Sequence, residues 1–365
     1  MPTERITHRF VDPGWMTGEA PEGENSALAT LSAMAQETAE APDVVARIMA
    51  SRAGLAALAA RLQRMDFDVA VICGRGSSGH AGVHLRYLLE TRIGVPVSAT
   101  APSVITSLKR PVALRRALFI VISQSGRSPD LVAATMAARR EGAATVAILN
   151  DIASPVARAA EWVLPLEAGL ERSVAATKSV IGSMALGALL VALLADDHAL
   201  VAALERLPGR LSQALHLDWD VVGRSLPMAR AAFIAGRGYG LGPAREIALK
   251  MAETLRLPAL AYSAAELLHG PRAAVTDQTP VLALRVGDET AEAVDALVAN
   301  LDASHLAAHL AGGPASRLPW IGDDHPVTDA IAMLAPAYRM IERTALAMGY
   351  DPDNPPHLKK VTETL

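Results

Sequence analysis

The segment Ser123-Gln124-Ser125-Gly126-Arg127-Ser128-Pro129-Asp130 sets three serines and a glutamine between an apolar run at 117–122 and a helical run at 131–141. A strand that hands over to a helix N-terminus offers hydroxyls and free backbone N–H groups to an anion. No lysine lies in the turn, so it would hold a phosphate by hydrogen bonds and helix dipole rather than by point charge. An ordinary helix start, with Ser128 as N-cap and Pro129 in the first turn, accounts for those two residues. It leaves Ser123, Gln124 and Ser125 unexplained, and the anion site is the better reading.

Other residues could do chemistry around such a phosphate. Glu246, Lys250 and Glu253 fall at offsets 0, 4 and 7 of a helical run at 244–255 and share one face. An exposed Glu–Lys pair would look the same. The run follows a Gly-Arg-Gly turn, however, which aims its start at a ligand crevice and makes one carboxylate a candidate base. His269 ends a helical run at 264–268, where the helix dipole favours its charged form and where it could shuttle a proton. Of 34 basic residues only five are lysine: Lys109, Lys178, Lys250, Lys359 and Lys360. A lysine kept in an arginine background suggests a chemical use, since only lysine becomes a neutral amine near pH 7. Gly74-Arg75-Gly76-Ser77-Ser78-Gly79 fits the dinucleotide pattern GxGxxG. The next strand, at 96–100, lacks the acidic residue that would hold a ribose, so a second hydroxyl-bearing phosphate turn through Ser77 and Ser78 is the alternative.

These turns need strands and helices to position them. Short apolar runs at 69–73, 96–99, 118–122, 145–149 and 162–164 alternate with helical stretches, the pattern of a parallel sheet covered on both faces. The pattern then recurs. Asp68-Val-Ala-Val-Ile-Cys-Gly-Arg-Gly76 is echoed by Arg230-Ala-Ala-Phe-Ile-Ala-Gly-Arg-Gly238, with further strands expected at 280–286 and 318–321. The reading is α/β: two doubly wound parallel-sheet subdomains of flavodoxin-like type, related by duplication. The expected divisions are an irregular and helical segment 1–40, a first domain 41–205, a second 206–350 and a tail 351–365, with a helix starting near Ser26 and broken at Pro42. In open sheets of this type ligands sit beyond the carboxyl ends of the strands, where these turns fall.

Composition narrows the function. A hydrophobic content of 51% over 365 residues supplies large cores. A net charge of −4 with no basic block argues against a nucleic-acid or membrane-surface partner. The single cysteine, Cys73, allows no intrachain disulfide and points to a reducing, cytoplasmic compartment; Glu4, Arg5 and Asp12 interrupt any signal-peptide core. The apolar run 180–195 contains Gly182, Ser183 and Gly187 and reads as a buried helix rather than a membrane span. With one cysteine and no HExxH, a protein-built zinc site is not expected.

Seven pieces, in order, resemble the tandem sugar isomerase (SIS) domain family. They are Met34-Ala-Gln-Glu-Thr-Ala-Glu-Ala-Pro42, Cys73-Gly74 with Ser78, Ser123-Gln-Ser-Gly126, Val174-Ala-Ala-Thr-Lys178, Glu246 to Glu253, Glu266-Leu-Leu-His-Gly-Pro271 and the Lys360 tail. The resemblance covers residues 34–365. It is closest to the isomerase half of glucosamine-6-phosphate synthase and to the stand-alone amino-sugar-phosphate deaminases. It implies that Ser78, Ser123, Gln124, Ser125 and Ser128 hold a sugar phosphate, that Val174 and Ala175 contact the sugar, and that Glu246 and Lys250 flank it. It further implies that Glu253 moves the proton between C1 and C2, that His269 from a neighbouring subunit assists ring opening, and that Lys360 stabilises the open chain. No cofactor or metal is implied, and a homodimer with a shared active site is. Three departures separate the chain from the synthase. It opens Met1-Pro2-Thr3 without the catalytic cysteine and glutaminase domain, Leu268 stands where a lysine commonly precedes the histidine, and Arg127-Ser128-Pro129 and the tail look more like the deaminases. The expected activity is conversion of glucosamine 6-phosphate, or its galactosamine epimer, to the ketose phosphate and ammonia. The alternatives are plain phosphosugar isomerisation, an ammonia-dependent synthase, or a non-catalytic sugar-phosphate sensor.

Overall fold

A computed structural model describes residues 31–360 and builds them around two parallel sheets. The first holds β1 (Val69–Cys73), β2 (Val97–Ala99), β3 (Ala117–Ser123), β4 (Ala144–Leu149) and β5 (Trp162–Pro165), in the spatial order β2-β1-β3-β4-β5. The second holds β6 (Ala232–Gly236), β7 (Ala259–Ser263), β8 (Val281–Leu284) and β9 (Ala308–Ala311), in the order β7-β6-β8-β9. All pairings within both sheets are parallel. The second order repeats the first without its last strand, as a duplicated flavodoxin-like unit would.

Eight helices matter to the site. They are α1 (Ala33–Ala39), α2 (Ala41–Ala50), α3 (Gly76–Leu88), α4 (Pro129–Arg140), α5 (Lys178–Leu194), α6 (His198–Ala214), α7 (Leu241–Leu255) and α8 (Leu334–Ala347). Side-chain alternation along the strands separates the cores. Ile72, Ile120, Val146 and Ile148 face one core and Val71, Phe119, Val121 and Ala147 another. The same split recurs in β6, where Ile234 joins the core of Ile72 while Phe233 and Ala235 face a third cluster. One core is therefore common to both sheets, and the central strands of each sheet are buried on both faces, which is why they read as continuous apolar runs. Helix α5 is buried along nearly its whole length and lies in that common core, as its composition requires. Among the described residues no helix is long and apolar enough to cross a membrane.

Three expectations need correction. The run 318–321 is not a strand: Leu318 makes only an isolated bridge to Ala311, and Pro319 cannot donate to a ladder. Strands β7 and β9 carry the sheet instead. The division at 205/206 falls inside α6, which continues through Pro208 and packs on α2 and α5. The helix through Met34 and Glu37 starts at Ala33 with Ser32 as its N-cap, Ser26 lying outside the described residues, whereas its expected break is observed: α1 ends at Ala39 and Pro42 sits in the first turn of α2.

Candidate active site

Strands β1 and β3 are neighbours, with Cys73 opposite Val121, so the turns that follow them leave the same edge of the sheet side by side. The first turn enters α3 with Gly76 at φ +51° and carries Ser77 and Ser78. The second enters α4, with Ser128 as N-cap and Pro129 following it. Its shape depends on Gly126. This residue sits at φ +60°, and a Cβ there would lie 2.1 Å from Ser154 Oγ, so a side chain is excluded twice over. Ser123 Oγ accepts the Gly126 N–H at 3.0 Å and closes the turn.

The turns open into two adjoining cavities. One, of about 270 Å³, is walled by Ser78, Ser123, Gln124, Ser125, Ser128 and Lys360. The other, of about 180 Å³, shares Ser78, Gln124 and Lys360 and adds Val174 and Glu253. Eight of the residues expected to bind or react, Ser78, Ser123, Gln124, Ser125, Ser128, Val174, Glu253 and Lys360, therefore face one cleft. Arg75 lines both cavities and pairs with Asp130 at 3.1 Å. It escaped the sequence reading because it resembles any surface arginine, although its place between two turn glycines was a signal.

Lys360 reaches the cleft from the far end of the chain. Its Nζ donates to the Ser173 carbonyl at 2.6 Å and lies 3.2 Å from Glu171 Oε2. Glu171 was also missed. It is fully buried and accepts from Ser179 Oγ at 2.6 Å and from the N–H groups of Thr177 and Ser179. Burial would push its carboxyl up, but Lys360 and these donors outweigh it and hold the group below its ordinary range. The tail is fixed upstream by Asp353. Its carboxylate accepts from Ala33 N and Met34 N, each at 2.7 Å, at the start of α1, and its carbonyl accepts from Val174 N at 3.0 Å. Glu37 on α1 in turn accepts from the N–H groups of Arg172 and Ser173, and burial raises its pKa.

Glu253 comes to the cleft from α7. Lys250, buried one turn earlier, makes an ion pair with it and lies 3.4 Å from Glu246 Oε1. Burial opposes the Lys250 ammonium, but Glu246 and Glu253 together raise its pKa above the ordinary range. Glu246 and Lys250 do not wall either cavity; both are buried beneath Glu253, because α7 packs that face against α3 and α8. Ala175 is likewise fully buried behind the wall that Val174 and Ala176 form. His269 is exposed, with Nδ1 2.8 Å from the Ala265 carbonyl, and it lines a separate depression with Arg245 and Tyr262. Arg127 also points away from the cleft, paired with Asp151 at 2.7 Å.

Two histidine pairs in the sequence have i,i+4 spacing, His80/His84 and His305/His309. The first does not converge on a common point. His80 Nδ1 meets Glu246, whereas His84 is wholly buried with Nδ1 3.0 Å from the Tyr239 carbonyl, and burial lowers its pKa to about 4. Among the described residues no group of three or more His, Cys, Asp or Glu is arranged to hold a metal ion. Cys73 is buried, which pushes its thiol up to about 12 and leaves it inert.

A family model described as the SIS domain matches residues 68–193 and 225–308, more than half of the chain. The chain belongs to the SIS domain family. A glutamine–fructose-6-phosphate aminotransferase from Symbiobacterium thermophilum is 32% identical over 332 residues, covering 85% of this chain and 53% of the relative. This SIS protein thus spans about half the length of the curated relatives it matches. Among solved structures, a protein from Silicibacter pomeroyi DSS-3, provisionally named a phosphosugar isomerase, is 37% identical with a TM-score of 0.83, covering 88% of this chain and 100% of that one. A glucosamine-6-phosphate deaminase from Thermotoga maritima shares the fold at 21% identity and a TM-score of 0.76, covering 91% of this chain and 100% of that one.

Proposed function

We propose that this SIS protein is an amino-sugar-phosphate deaminase/isomerase that converts glucosamine 6-phosphate, or galactosamine 6-phosphate, to the ketose 6-phosphate and ammonia. The observation that carries the reading is the single cleft in which Ser78 and the Ser123–Ser128 turn meet Glu253 and Lys360. A phosphate in the turns would take hydroxyl and α4 N-terminal N–H donors, fixing one end of the sugar. C1 and C2 of the open chain would then lie toward Glu253. Its carboxylate removes the C2 proton and returns it at C1, while O1 gains a proton and the amine loses one, which leaves a hydroxymethyl group at C1 and an imine at C2. Water adds to that imine, the C–N bond breaks, and ketone and ammonia depart. The Lys360 ammonium stabilises the negative charge that develops on the sugar as C2 loses its proton. His269 would be offered by a second copy of the chain for ring opening, in a homodimer. The amino-sugar part rests on the Arg127-Ser128-Pro129 turn, the tail and the amino-sugar chemistry in the relatives' names.

The test is to incubate the purified protein with each amino sugar phosphate and assay ammonia and ketose phosphate. Release of both in equal amounts is expected; no release from either epimer removes the deaminase reading. Plain aldose–ketose isomerisation is the second reading, favoured by the 37% identical protein named for that activity. Turnover of a non-amino sugar phosphate alone would select it.

A further inference from the structure

Glu246 is fully buried, yet its carboxylate gathers donors from three elements. Oε1 accepts from Ser77 Oγ at 3.0 Å and more distantly from Tyr338 of α8 at 3.4 Å, with Lys250 Nζ also at 3.4 Å. Oε2 takes its hydrogen bond from His80 Nδ1 at 2.9 Å. A carboxylate only accepts, so the Nδ1 of His80 carries the proton. Ser77 and His80 both stand on α3, which opens the first sheet's phosphate turn, while Glu246, Lys250 and Glu253 stand on α7 after the second sheet's turn. Glu246 therefore ties the phosphate end of the cleft to the base at the other end.

We propose that His80, acting through Glu246, is a positioning residue that sets Lys250 against Glu253. This rests on the reading of Glu253 as the proton-transferring base. Lys250 has two carboxylates within reach, the buried Glu246 and the cavity-lining Glu253, and must divide its ammonium between them. The His80 N–H occupies Oε2 and the Ser77 hydroxyl shares Oε1, so Glu246 is largely satisfied without Lys250. The lysine is then free to press on Glu253, with which it makes the shorter contact. Without His80, Oε2 is a buried anionic oxygen lacking its donor, a costly state that turns the carboxylate toward the nearest cation. That cation is Lys250, and Glu253 loses the partner that aims it into the cleft. The other titratable groups facing this cluster are Tyr338 from α8, which burial and Glu246 keep protonated, and Glu171 ahead of α5, which is engaged by Lys360. Neither can replace the His80 donor.

The test compares His80→Leu, which keeps bulk and removes the donor, with His80→Asn, whose side-chain amide can place an N–H where Nδ1 sits. His80→Leu should lower kcat by about tenfold or more with KM changed less than about twofold, and His80→Asn should restore most of it. If His80→Leu does not fold, His80→Ala takes its place. Urea unfolding of His80→Leu, Glu253→Gln and the double variant supplies a reading that needs no turnover: the shift in midpoint of the double variant should differ from the sum of the single shifts. An unchanged kcat, a His80→Asn variant as impaired as His80→Leu, or additive midpoints would overturn the inference. A wild-type protein inert toward every sugar phosphate would defeat the functional reading instead, and the midpoints would still decide the role of His80.

Discussion

At the scale of single residues, the proposed reaction separates groups that hold from groups that react. Glu253 walls the cavity at its inner end, whereas the serines line the phosphate end. Glu253→Gln keeps the shape of the side chain but cannot accept a proton from carbon. Turnover should fall by about 10²–10⁴-fold, the range for loss of a general base, while binding of the sugar phosphate measured by calorimetry stays within a few-fold. Lys360→Ala should also cut turnover, for a different reason. It removes the cation that the proposed reaction uses and leaves Glu171 buried with hydrogen bonds but no counter-charge, so the variant should melt at lower temperature as well. Full activity in either variant would return that residue to a structural role. The pairing of Lys360 with Glu171 was beyond sequence reasoning, because nothing in the spacing of residues 171 and 360 links them. The Glu246, Lys250, Glu253 spacing did reveal a common helical face. It could not reveal that Tyr338 and His80 engage Glu246 or that Lys250 is buried with it, so the expectation that these two flank the sugar ends beneath the cavity wall.

At the scale of elements, legibility followed burial. Strands β1, β3 and β4 are almost wholly apolar and enclosed on both faces, so they stood out as runs. Strand β7 is an edge strand with an exposed Leu260, and its Ala-Leu-Ala-Tyr-Ser sequence resembles a loop as much as a strand. The run at 318–321 had the right residues but a proline inside it. The tail was legible only as a lysine pair, whereas its placement depends on a helix start at the opposite end of the described chain. Asp353 supplies that placement by capping two N–H groups of α1, which also complements the helix dipole. Asp353→Ala should destabilise the protein by about 1–2 kcal/mol in chemical unfolding. Because the same residue holds the strand of chain that leads to Lys360, kcat should drop several-fold while inorganic phosphate still protects the turns. A variant that loses stability and keeps kcat would show that the tail finds its position without the cap.

At the scale of the whole molecule, the duplication explains why chemistry needs both sheets. In the proposed reaction the first supplies the phosphate turns and the second the base, and the core common to Ile72 and Ile234 fixes one against the other. One expected participant is left outside this arrangement. His269 lies on the surface, on the wall of a depression that Glu253 and Lys360 do not share. Within one chain it serves neither cavity, so any role in ring opening requires a second copy to bring it there. That requirement has a measurable consequence in a two-fold dimer, where each site would combine Glu253 of one protomer with His269 of its partner. Glu253→Gln and His269→Asn would each be inactive alone. Mixed in equal amounts and allowed to exchange, they give heterodimers in which one site carries both substitutions and the other carries neither. Random pairing makes half of all dimers mixed, so about a quarter of the wild-type sites should return. Activity near that level, appearing at the rate of subunit exchange, is the expected outcome. If exchange is verified by native mass spectrometry and the mixture stays inactive, His269 does not cross between protomers.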